Sequence, residues 1–367
     1  QGCLSEDAYL ARLGGDEFGI IVSHVKHLKQ VSNIAINILK GFKQPSSING
    51  VDVLATVSMG VSIFPDNSEY PADLFKQAEL AMYRSKKRGR NKVCYFEDKM
   101  QQSFNNRYTL EQNMAVGIRD QEFVLHFQPV VTRHQGSEEF SIKGFESLIR
   151  WQRGDELLLP DDFVSVAEDS GQITEIGRWV FEQSIKYIKA WNEASNVEKN
   201  IAVNVSSIQL SDPCLSKIVS DLLDKHQLSG HCLEIEVTET SLIEDSEITR
   251  ENLKQLRALG CGILLDDFGT GFSSISHLQQ FPITGIKIDK SLMGSCQDSE
   301  KNFKLVKGLF HLANDMGLQV IAEGVETEED LNVCVGIGIS MFQGYYFSKA
   351  LPAEDITSQY IDKKCIW

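Results

Sequence analysis

Two adjacent carboxylates, Asp266 and Asp267, end a short apolar run that begins at Gly262 and leads into a glycine-rich turn reaching Ser274. The three residues before Asp266 are apolar on both alternations, which is typical of a strand covered on both faces. Paired carboxylates in such a place are costly without cations, and one carboxylate can bridge two metal ions. The alternative is a helix N-cap or a turn, because Asp favours both.

Polar residues stand at or near the predicted C-terminal ends of all the strands in this part of the chain. They are Gln128, Glu146, Asn204, Glu236, Asp266 with Asp267, Lys287, Glu323 and Gln343. Any one of them alone is more often a cap or turn residue. Together they predict one site, because the strand ends of an α/β barrel meet at one face. Carboxylate and amide oxygens without His or Cys favour Mg²⁺ or Mn²⁺ over zinc.

The strands that would position these residues alternate with amphipathic helices. The predicted strands are Phe123–Gln128, Ile142–Arg150, Ile201–Val205, Leu233–Val237, Gly262–Asp266, Gly285–Ile288, Gln319–Ala322 and Ser340–Tyr345. Eight strands with intervening helices predict a (β/α)8 barrel. We assign residues 119–361 to this barrel and 98–118 to a polar helical connector.

Several motifs in this region, in order and spacing, resemble those of the EAL phosphodiesterases. They are Gly144-Phe-Glu-Ser-Leu-Ile-Arg-Trp151, Asn204-Val-Ser206, Glu236-Val-Thr-Glu239, Asp266-Asp-Phe-Gly-Thr-Gly271, Lys287-Ile-Asp289, Ala322-Glu-Gly-Val-Glu326 and Gln343-Gly-Tyr345. The resemblance covers residues 104–360. It implies a TIM-like barrel whose first strand is antiparallel to the rest. It also implies hydrolysis of cyclic di-GMP, a bacterial second messenger, to linear pGpG by water that two Mg²⁺ or Mn²⁺ ions activate.

The same resemblance implies a role for each matching residue. The implied metal ligands are Glu146, Asn204, Glu236 and Asp266 for the first ion, and Asp266 and Asp267 for the second, with Glu323 as general base or second-ion ligand. Lys287 would orient the attacking water, and Glu239 would brace the loop 267–274. The implied substrate contacts are Gln128, Glu146, Leu148, Arg150, Asn204, Asp289 and Gln343, of which Gln343 would hold a metal-bound water.

Ser147 departs from the family, which has Ala at this position of its name motif. Because side chains alternate along a strand, we expect Ser147 to face away from Glu146 and the ions. A small hydroxyl there can bond to nearby backbone and should be tolerated. Phe272, where the family usually has Tyr, loses only a hydroxyl.

Residues 1–97 resemble the C-terminal part of a GGDEF domain, the diguanylate cyclase family. The resemblance rests on Arg12-Leu-Gly-Gly-Asp-Glu-Phe18 and on the stretch Ala81–Asn91. Here we predict helices over 28–42 and 71–86 and a strand over 53–64. The family's first strand and nucleotide-contacting helix would precede Gln1, so we expect no cyclase activity, an open sheet edge and sensitivity to proteolysis.

Composition limits the possible partners. The chain of 367 residues has a formal charge of −15; residues 1–103 hold 13 basic and 11 acidic residues, and residues 104–367 hold 23 and 40. An acidic surface argues against binding a DNA or RNA duplex. The scattered cysteines suggest a reduced, cytoplasmic protein. Since the first residue is not Met, we expect a fragment, and its parent could be membrane-anchored through parts that lie upstream.

These features favour one function over two others. The leading hypothesis is a phosphodiesterase that pairs as a homodimer near the loop 267–274, as members of the resembled family commonly do. The alternative is a catalytically inactive receptor or regulatory module for cyclic di-GMP, although inactive members usually lose a ligand and this chain keeps them all. The third, a cyclase, would require the part that precedes Gln1.

Overall fold

The computed structural model describes residues 4, 8–25, 27–48, 50–134, 139–243, 246–269, 275–294 and 299–361. The chain divides into two compact units, Gln1–Thr109 and Leu110–Trp367. Among the described residues, no helix is long and apolar enough to cross a bilayer.

The first unit contains short strands and two amphipathic helices, and a third helix runs from it into the second unit. The elements are β1 (Ala8–Gly14), β2 (Glu17–Val22), α1 (Leu28–Phe42), β3 (Ser46–Ile48), β4 (Val51–Val53), β5 (Met59–Val61), α2 (Pro71–Lys87), β6 (Val93–Tyr95) and α3 (Asp98–Arg119). The strands pair two by two: β1 with β2 and β3 with β4 are antiparallel, and β5 with β6 is parallel.

Pairing explains the one clear error in the first unit. The predicted helices agree with α1 and α2 to within one residue, since each carries its own apolar period. The predicted strand over 53–64 is wrong, because β4 ends at Val53, residues 54–58 have no strand structure, and β5 ends at Val61. β4 folds back on β3 while β5 pairs with β6, so the two strands belong to different sheets.

The second unit alternates strands and helices. Its elements are β7 (Phe123–Arg133), β8 (Phe140–Arg153), β9 (Glu156–Leu158), α4 (Pro160–Ser170), α5 (Ile173–Ser195), β10 (Asn200–Asn204), α6 (Ser207–Leu210), α7 (Leu215–His226), β11 (Leu233–Thr238), α8 (Glu239–Ile243), α9 (Glu247–Ala258), β12 (Gly262–Phe268), α10 (Ile275–Gln280), β13 (Gly285–Ile288), α11 (Lys290–Gly294), α12 (Glu300–Asp315), β14 (Gln319–Ala322), α13 (Glu328–Ile337), β15 (Met341–Phe342), β16 (Leu351–Pro352) and α14 (Ala353–Ile356). A 3-10 turn at Gly230–Cys232 and a π-helical turn at Thr357–Ile361 complete it.

Eight of these strands close into a barrel. Their order around it is β7, β8, β10, β11, β12, β13, β14 and β15, and β15 returns to β7. β7 is antiparallel to both of its neighbours, β8 and β15, and the remaining neighbours are parallel. The predicted TIM-like barrel with an antiparallel first strand is therefore confirmed.

Apolar side chains pack against both faces of the barrel strands. The larger cluster lies between the strands and the surrounding helices and includes Phe145, Ile185 and Trp191. A small separate cluster consists of Val130, Leu264 and Ile321, with Met341 packed against it. These four belong to β7, β12, β14 and β15, on the strand faces opposite the larger cluster, so they form a layer inside the barrel.

Some strand lengths differ from the predictions. β7 and β8 are 11 and 14 residues long, longer than predicted, because they form an antiparallel hairpin that extends beyond the barrel wall. β15 contains only Met341 and Phe342, since the residues after it turn away from the sheet. The bounds of β13 and β14 agree with the prediction.

Candidate active site

A polar layer lies directly above the apolar layer inside the barrel. Side chains two residues apart on a strand share a face. The polar residue therefore lies two positions after the apolar one, which places three residues above the layer. They are Asp266 in β12, Glu323 directly after β14 and Gln343 directly after β15. β7 runs in the opposite direction, so its polar residue, Gln128, lies two positions before its apolar residue, Val130.

The reversed direction of β7 corrects one detail of the prediction. Gln128 and Glu146 do not lie at the ends of their strands but in the middle, and they are register partners across the β7–β8 hairpin. They still reach the mouth of the barrel, because the hairpin continues beyond it. Sequence position along a strand is therefore a poor guide to depth where neighbouring strands are antiparallel.

Lys287 is the centre of the polar layer. Its side chain is only 1% exposed, and its Nζ lies 2.7 Å from Glu323, 2.9 Å from Glu236, 3.3 Å from Glu146 and 3.6 Å from Asp266. Four carboxylates thus surround one ammonium group. A buried set of this kind carries excess negative charge, which further cations would offset.

Amide side chains complete the surroundings of Glu146. Asn204 Nδ2 donates to Glu146 Oε1 at 2.7 Å, and Gln343 Nε2 donates to Glu146 Oε2 at 2.5 Å. Gln343 Nε2 also lies 3.1 Å from Gln128 Oε1, and Gln128 Nε2 donates to the carbonyl of Ser348 at 3.0 Å. Ser348 could not be predicted from the sequence, because a backbone carbonyl leaves no signal in residue type.

A local irregularity brings Asp267 to the same side as Asp266. Neighbouring residues of a regular strand face opposite ways, but Asp267 has a left-handed φ of 55° and the β12–β13 register shifts between Leu265 and Phe268. A bulge of this kind re-aims a side chain, and such strain clusters at functional sites. Carboxylate oxygens of Asp266, Asp267 and Glu323 consequently lie within 4.8 Å of one another.

Glu239 supports the backbone that follows Asp267. It is 7% exposed, and its Oε1 accepts a hydrogen bond from the backbone N–H of Gly269 at 2.9 Å. Gly269 has a φ of 96°, which only glycine adopts easily. The predicted role of Glu239 in bracing the loop 267–274 concerns residues 270–274 as well, and these lie outside the described residues.

Burial and mutual repulsion shift the acidity of the cluster. Burial, together with the charge of Glu146, raises the pKa of Glu236 well above its usual range. Burial raises the pKa of Glu323 to about 7 despite the nearby Lys287. For Glu146 burial acts in the same direction, but the Lys287 charge and the amide hydrogen bonds outweigh it and lower the pKa. The surrounding carboxylates raise the pKa of Lys287 against the effect of its burial, so it is charged.

Three predicted substrate contacts outside the polar layer, Leu148, Arg150 and Asp289, are half-buried. Leu148 and Arg150 follow Glu146 at two-residue steps along β8 and so share its face. Arg150 donates to the carbonyl of Ile149 at 2.8 Å, and no carboxylate of the described chain lies within ion-pair distance of it. Asp289 accepts a hydrogen bond from the N–H of Ser291 at 2.8 Å. The free donors of Arg150 suit an incoming phosphate.

The predicted ligand set fits divalent cations. Glu236 Oε1 and Gln343 Oε1 are buried, and neither has a hydrogen-bond partner in the described part of the chain. Buried oxygens normally have partners, and oxygens beside excess carboxylate charge are the preferred ligands of Mg²⁺ and Mn²⁺. Glu146, Glu236 and Asp266 share Lys287 as a contact, and Asn204 joins them through Glu146.

Ser147 lies on the opposite face of β8 from Glu146, as predicted from strand alternation. Its side chain is buried, and its Oγ donates to the carbonyl of Ala202 in the neighbouring strand at 2.8 Å. The hydroxyl therefore has a partner, and the substitution leaves the polar layer untouched.

Comparisons with known families agree with this geometry. The family model described as the EAL domain matches residues 111–350, and the model described as the GGDEF domain of diguanylate cyclases matches residues 1–92. The chain is similar to the cyclic di-GMP phosphodiesterase PdeR of Escherichia coli, with 32% identity over 352 residues that cover 96% of this chain and 52% of PdeR. It is also similar to the bifunctional diguanylate cyclase/cyclic di-GMP phosphodiesterase MucR of Pseudomonas aeruginosa, with 31% identity over 95% of this chain and 50% of MucR.

Solved structures show the same barrel. A PaMucR phosphodiesterase in complex with c-di-GMP has 32% identity and a TM-score of 0.63, and the match covers 68% of this chain and 99% of that one. The EAL enzyme Bd1971, bound to cAMP and cyclic-di-GMP, has 26% identity and a TM-score of 0.67, over 93% of this chain and 80% of that one. The chain spans about half the length of the curated relatives that it matches.

Proposed function

We propose, from the premise that this chain belongs to the EAL domain family and carries part of a GGDEF domain, that it hydrolyses cyclic di-GMP to linear pGpG. One observation carries the proposal: Glu146, Glu236, Asp266 and Glu323 surround Lys287 at the mouth of the barrel. Similarity to PdeR and to the MucR complex supports the choice of substrate. We assign the reaction to bacterial second-messenger signalling and place the chain in the cytoplasm.

Two Mg²⁺ or Mn²⁺ ions belong to the proposed site. Glu146, Asn204, Glu236 and Asp266 would hold one ion, and Asp266 and Asp267, with an oxygen of Glu323, the other. When bound, such ions lower the pKa of water and balance the charge on the phosphodiester oxygens. The bulge at Asp267 supports this assignment, since it directs both carboxylates of a strand end to one side.

The remaining steps use the side chains of the barrel itself. Glu323 accepts the proton of the attacking water, since its carboxylate lies beside those of Asp266 and Asp267, where that water would be held. Lys287, 2.7 Å from Glu323, holds that water in line and offsets negative charge. Gln343 and Asn204 fix the orientation of Glu146 through their amide hydrogen bonds. Gln128, Leu148, Arg150 and Asp289 line the approach and contact the nucleotide.

We also propose a homodimer that pairs near the loop 267–274. The proposal rests on the resemblance to a family whose members commonly pair near this loop. In such a dimer, the hydrogen bond from Gly269 to Glu239 would link contact with the partner to Asp267, two residues away. Sedimentation of the purified chain tests this proposal. Fully active protein that sediments only as a monomer would overturn it.

Hydrolysis of cyclic di-GMP by the purified chain tests the main proposal. We expect pGpG to accumulate with Mg²⁺ or Mn²⁺ and not with Ca²⁺, because Ca²⁺ prefers longer bonds and more ligands and would misplace the water. Binding of cyclic di-GMP without turnover under every metal condition would instead identify a receptor. With GTP as substrate we expect no cyclic di-GMP, since residues 1–97 represent only part of a cyclase domain.

A further inference from the structure

The turn that carries Glu323 is held from several sides, and one of the contacts comes from a surface lysine. Inside the barrel, Lys287 pairs with the Glu323 carboxylate, and the Glu323 N–H donates to the carbonyl of Ile288 at 3.0 Å. Both contacts come from β13. They fix where the turn begins, but they do not fix the path of Gly324 to Glu326.

The far end of the turn is held by two other segments. Val325 N–H donates to the carbonyl of Gln343 at 3.2 Å, and the carbonyl of Val325 accepts from Tyr346 N–H at 2.9 Å. The N–H of Glu326 donates to the Asp330 side chain at 3.1 Å. Between these fixed ends, the backbone path at Gly324 depends on the side chain that packs over its solvent-facing side.

Lys290, the first residue of α11, provides that cover. A methyl group built on Gly324 would lie 2.4 to 2.8 Å from the Cβ, Cγ and Cδ atoms of Lys290, so the alkyl chain rests directly on the glycine. The Nζ of Lys290 then forms an ion pair with Glu326. A lysine stem lying along backbone while its charge stays in water is a familiar arrangement.

We propose that Lys290 is a positioning residue for Glu323: its stem closes the turn over Gly324, and its ammonium group anchors Glu326. β13 and the start of α11 would then hold the turn at two points, with Lys287 on the inside and Lys290 on the outside. The catalytic consequence rests on the proposed phosphodiesterase function, whereas the structural consequence does not.

Magnitudes separate this role from that of an ordinary surface lysine. The Lys290 and Glu326 side chains are 58% and 40% exposed, and exposed pairs contribute only about 0 to 1 kcal/mol to stability. Loss of Lys290 should therefore hardly change the melting temperature. A displacement of about 1 Å of a reacting group, however, can lower a rate by about 10²-fold.

The test compares Lys290→Ala and Lys290→Arg with a control, Lys304→Ala. Lys304 also forms an exposed ion pair, at 2.7 Å from Glu300, but on α12 away from the turn. For Lys290→Ala we expect kcat for cyclic di-GMP to fall by about 10- to 100-fold, with KM within about two-fold. Lys290→Arg, which keeps the stem and the charge, should recover most of the rate, and Lys304→Ala should behave as wild type.

Amide hydrogen exchange over residues 319–331 provides a readout that does not need turnover. In Lys290→Ala the amides of Glu323 and Val325 should exchange about five-fold faster, and in Lys304→Ala they should not change. Unchanged exchange in Lys290→Ala would overturn the positioning role, as would faster exchange with an unchanged kcat. If the wild type does not hydrolyse cyclic di-GMP, the proposed function fails, and the exchange result alone decides whether Lys290 closes the turn.

Discussion

Two pairs of adjacent carboxylates, one in each unit, show how much the surrounding fold decides. Asp16 and Glu17 follow two glycines in the β1–β2 hairpin and are both exposed. Asp266 and Asp267 lie near the end of β12, before Phe268 and Gly269. Together with Glu323 they form the only group of carboxylates with metal-binding spacing among the described residues. Each pair consists of two adjacent carboxylates close to glycine. Only the second pair lies where the ends of several barrel strands meet.

The same contrast extends to the apolar residues. In the barrel unit Phe127, Phe145 and Trp151 are fully buried, and the larger cluster links most strands and helices. Among the described residues of the first unit, the buried cluster consists of Ala81, Cys94, Phe96 and Met100. The β1–β2 hairpin leaves Tyr9, Phe18 and Ile21 more than half exposed. A rigid site requires the first arrangement, because only packed neighbours can hold strained or charged groups in place.

The largest expected effect is on turnover and uses one carboxylate from each unit. Glu323→Gln keeps the size of the side chain but cannot accept a proton, so single-turnover hydrolysis should slow by about 10²- to 10⁴-fold. Glu17→Gln in the hairpin should leave the rate unchanged. If raising Mn²⁺ restores much of the Glu323→Gln rate, Glu323 mainly holds the second ion. A rate near that of wild type would remove Glu323 from the mechanism.

The next effect concerns stability and contrasts the two apolar environments. Phe145 is 1% exposed and packs against Trp191 with ring centroids 5.0 Å apart, so Phe145→Ala should lower the free energy of unfolding by about 3–5 kcal/mol. Phe18 is 59% exposed, and Phe18→Ala should change the free energy of unfolding by less than about 1 kcal/mol. Urea unfolding measures both. Equal losses would mean that the hairpin packs far better in solution than its exposure indicates.

A smaller effect is expected on substrate affinity. Arg150→Ala removes charged donors from the mouth of the barrel and should raise KM by about 10- to 100-fold, the range expected for hydrogen bonds to a charged group. Arg12→Ala, which removes a guanidinium that bonds to Gly15 in the hairpin turn, should not affect KM. Titration of cyclic di-GMP against each variant checks this. If Arg150→Ala binds cyclic di-GMP with unchanged affinity, Arg150 does not contribute to substrate binding.

The smallest effect should follow from Ser147→Ala, which restores the usual family residue. It removes the hydrogen bond to Ala202, so stability should fall by about 1 kcal/mol, while hydrolysis should stay within about two-fold because the side chain faces away from Glu146. Ser47→Ala, at an exposed position of β3, should change stability by less than about 0.5 kcal/mol. Thermal melts and steady-state rates of both variants provide the comparison. A large loss of turnover in Ser147→Ala would show that the two faces of β8 are coupled.

Sequence alone determined much of this protein, because local patterns carry the relevant information. The 3.6-residue period located α1 and α2, and the apolar runs located β13 and β14, to within a residue. The antiparallel first strand came from the family resemblance, and the closed barrel confirms it. The positions of polar residues at the predicted strand ends indicated the site, and the resemblance assigned a role to each of them.

Tertiary structure decided what depends on pairing between distant segments. The break after Val53 arises because β4 and β5 have different partners. Gln128 and Glu146 lie in mid-strand because an antiparallel hairpin extends past the barrel mouth. The left-handed conformation of Asp267 and the cover that Lys290 places over Gly324 also depend on neighbouring strands. Residue type does not encode register or long-range contact, so these features become visible only once the barrel closes.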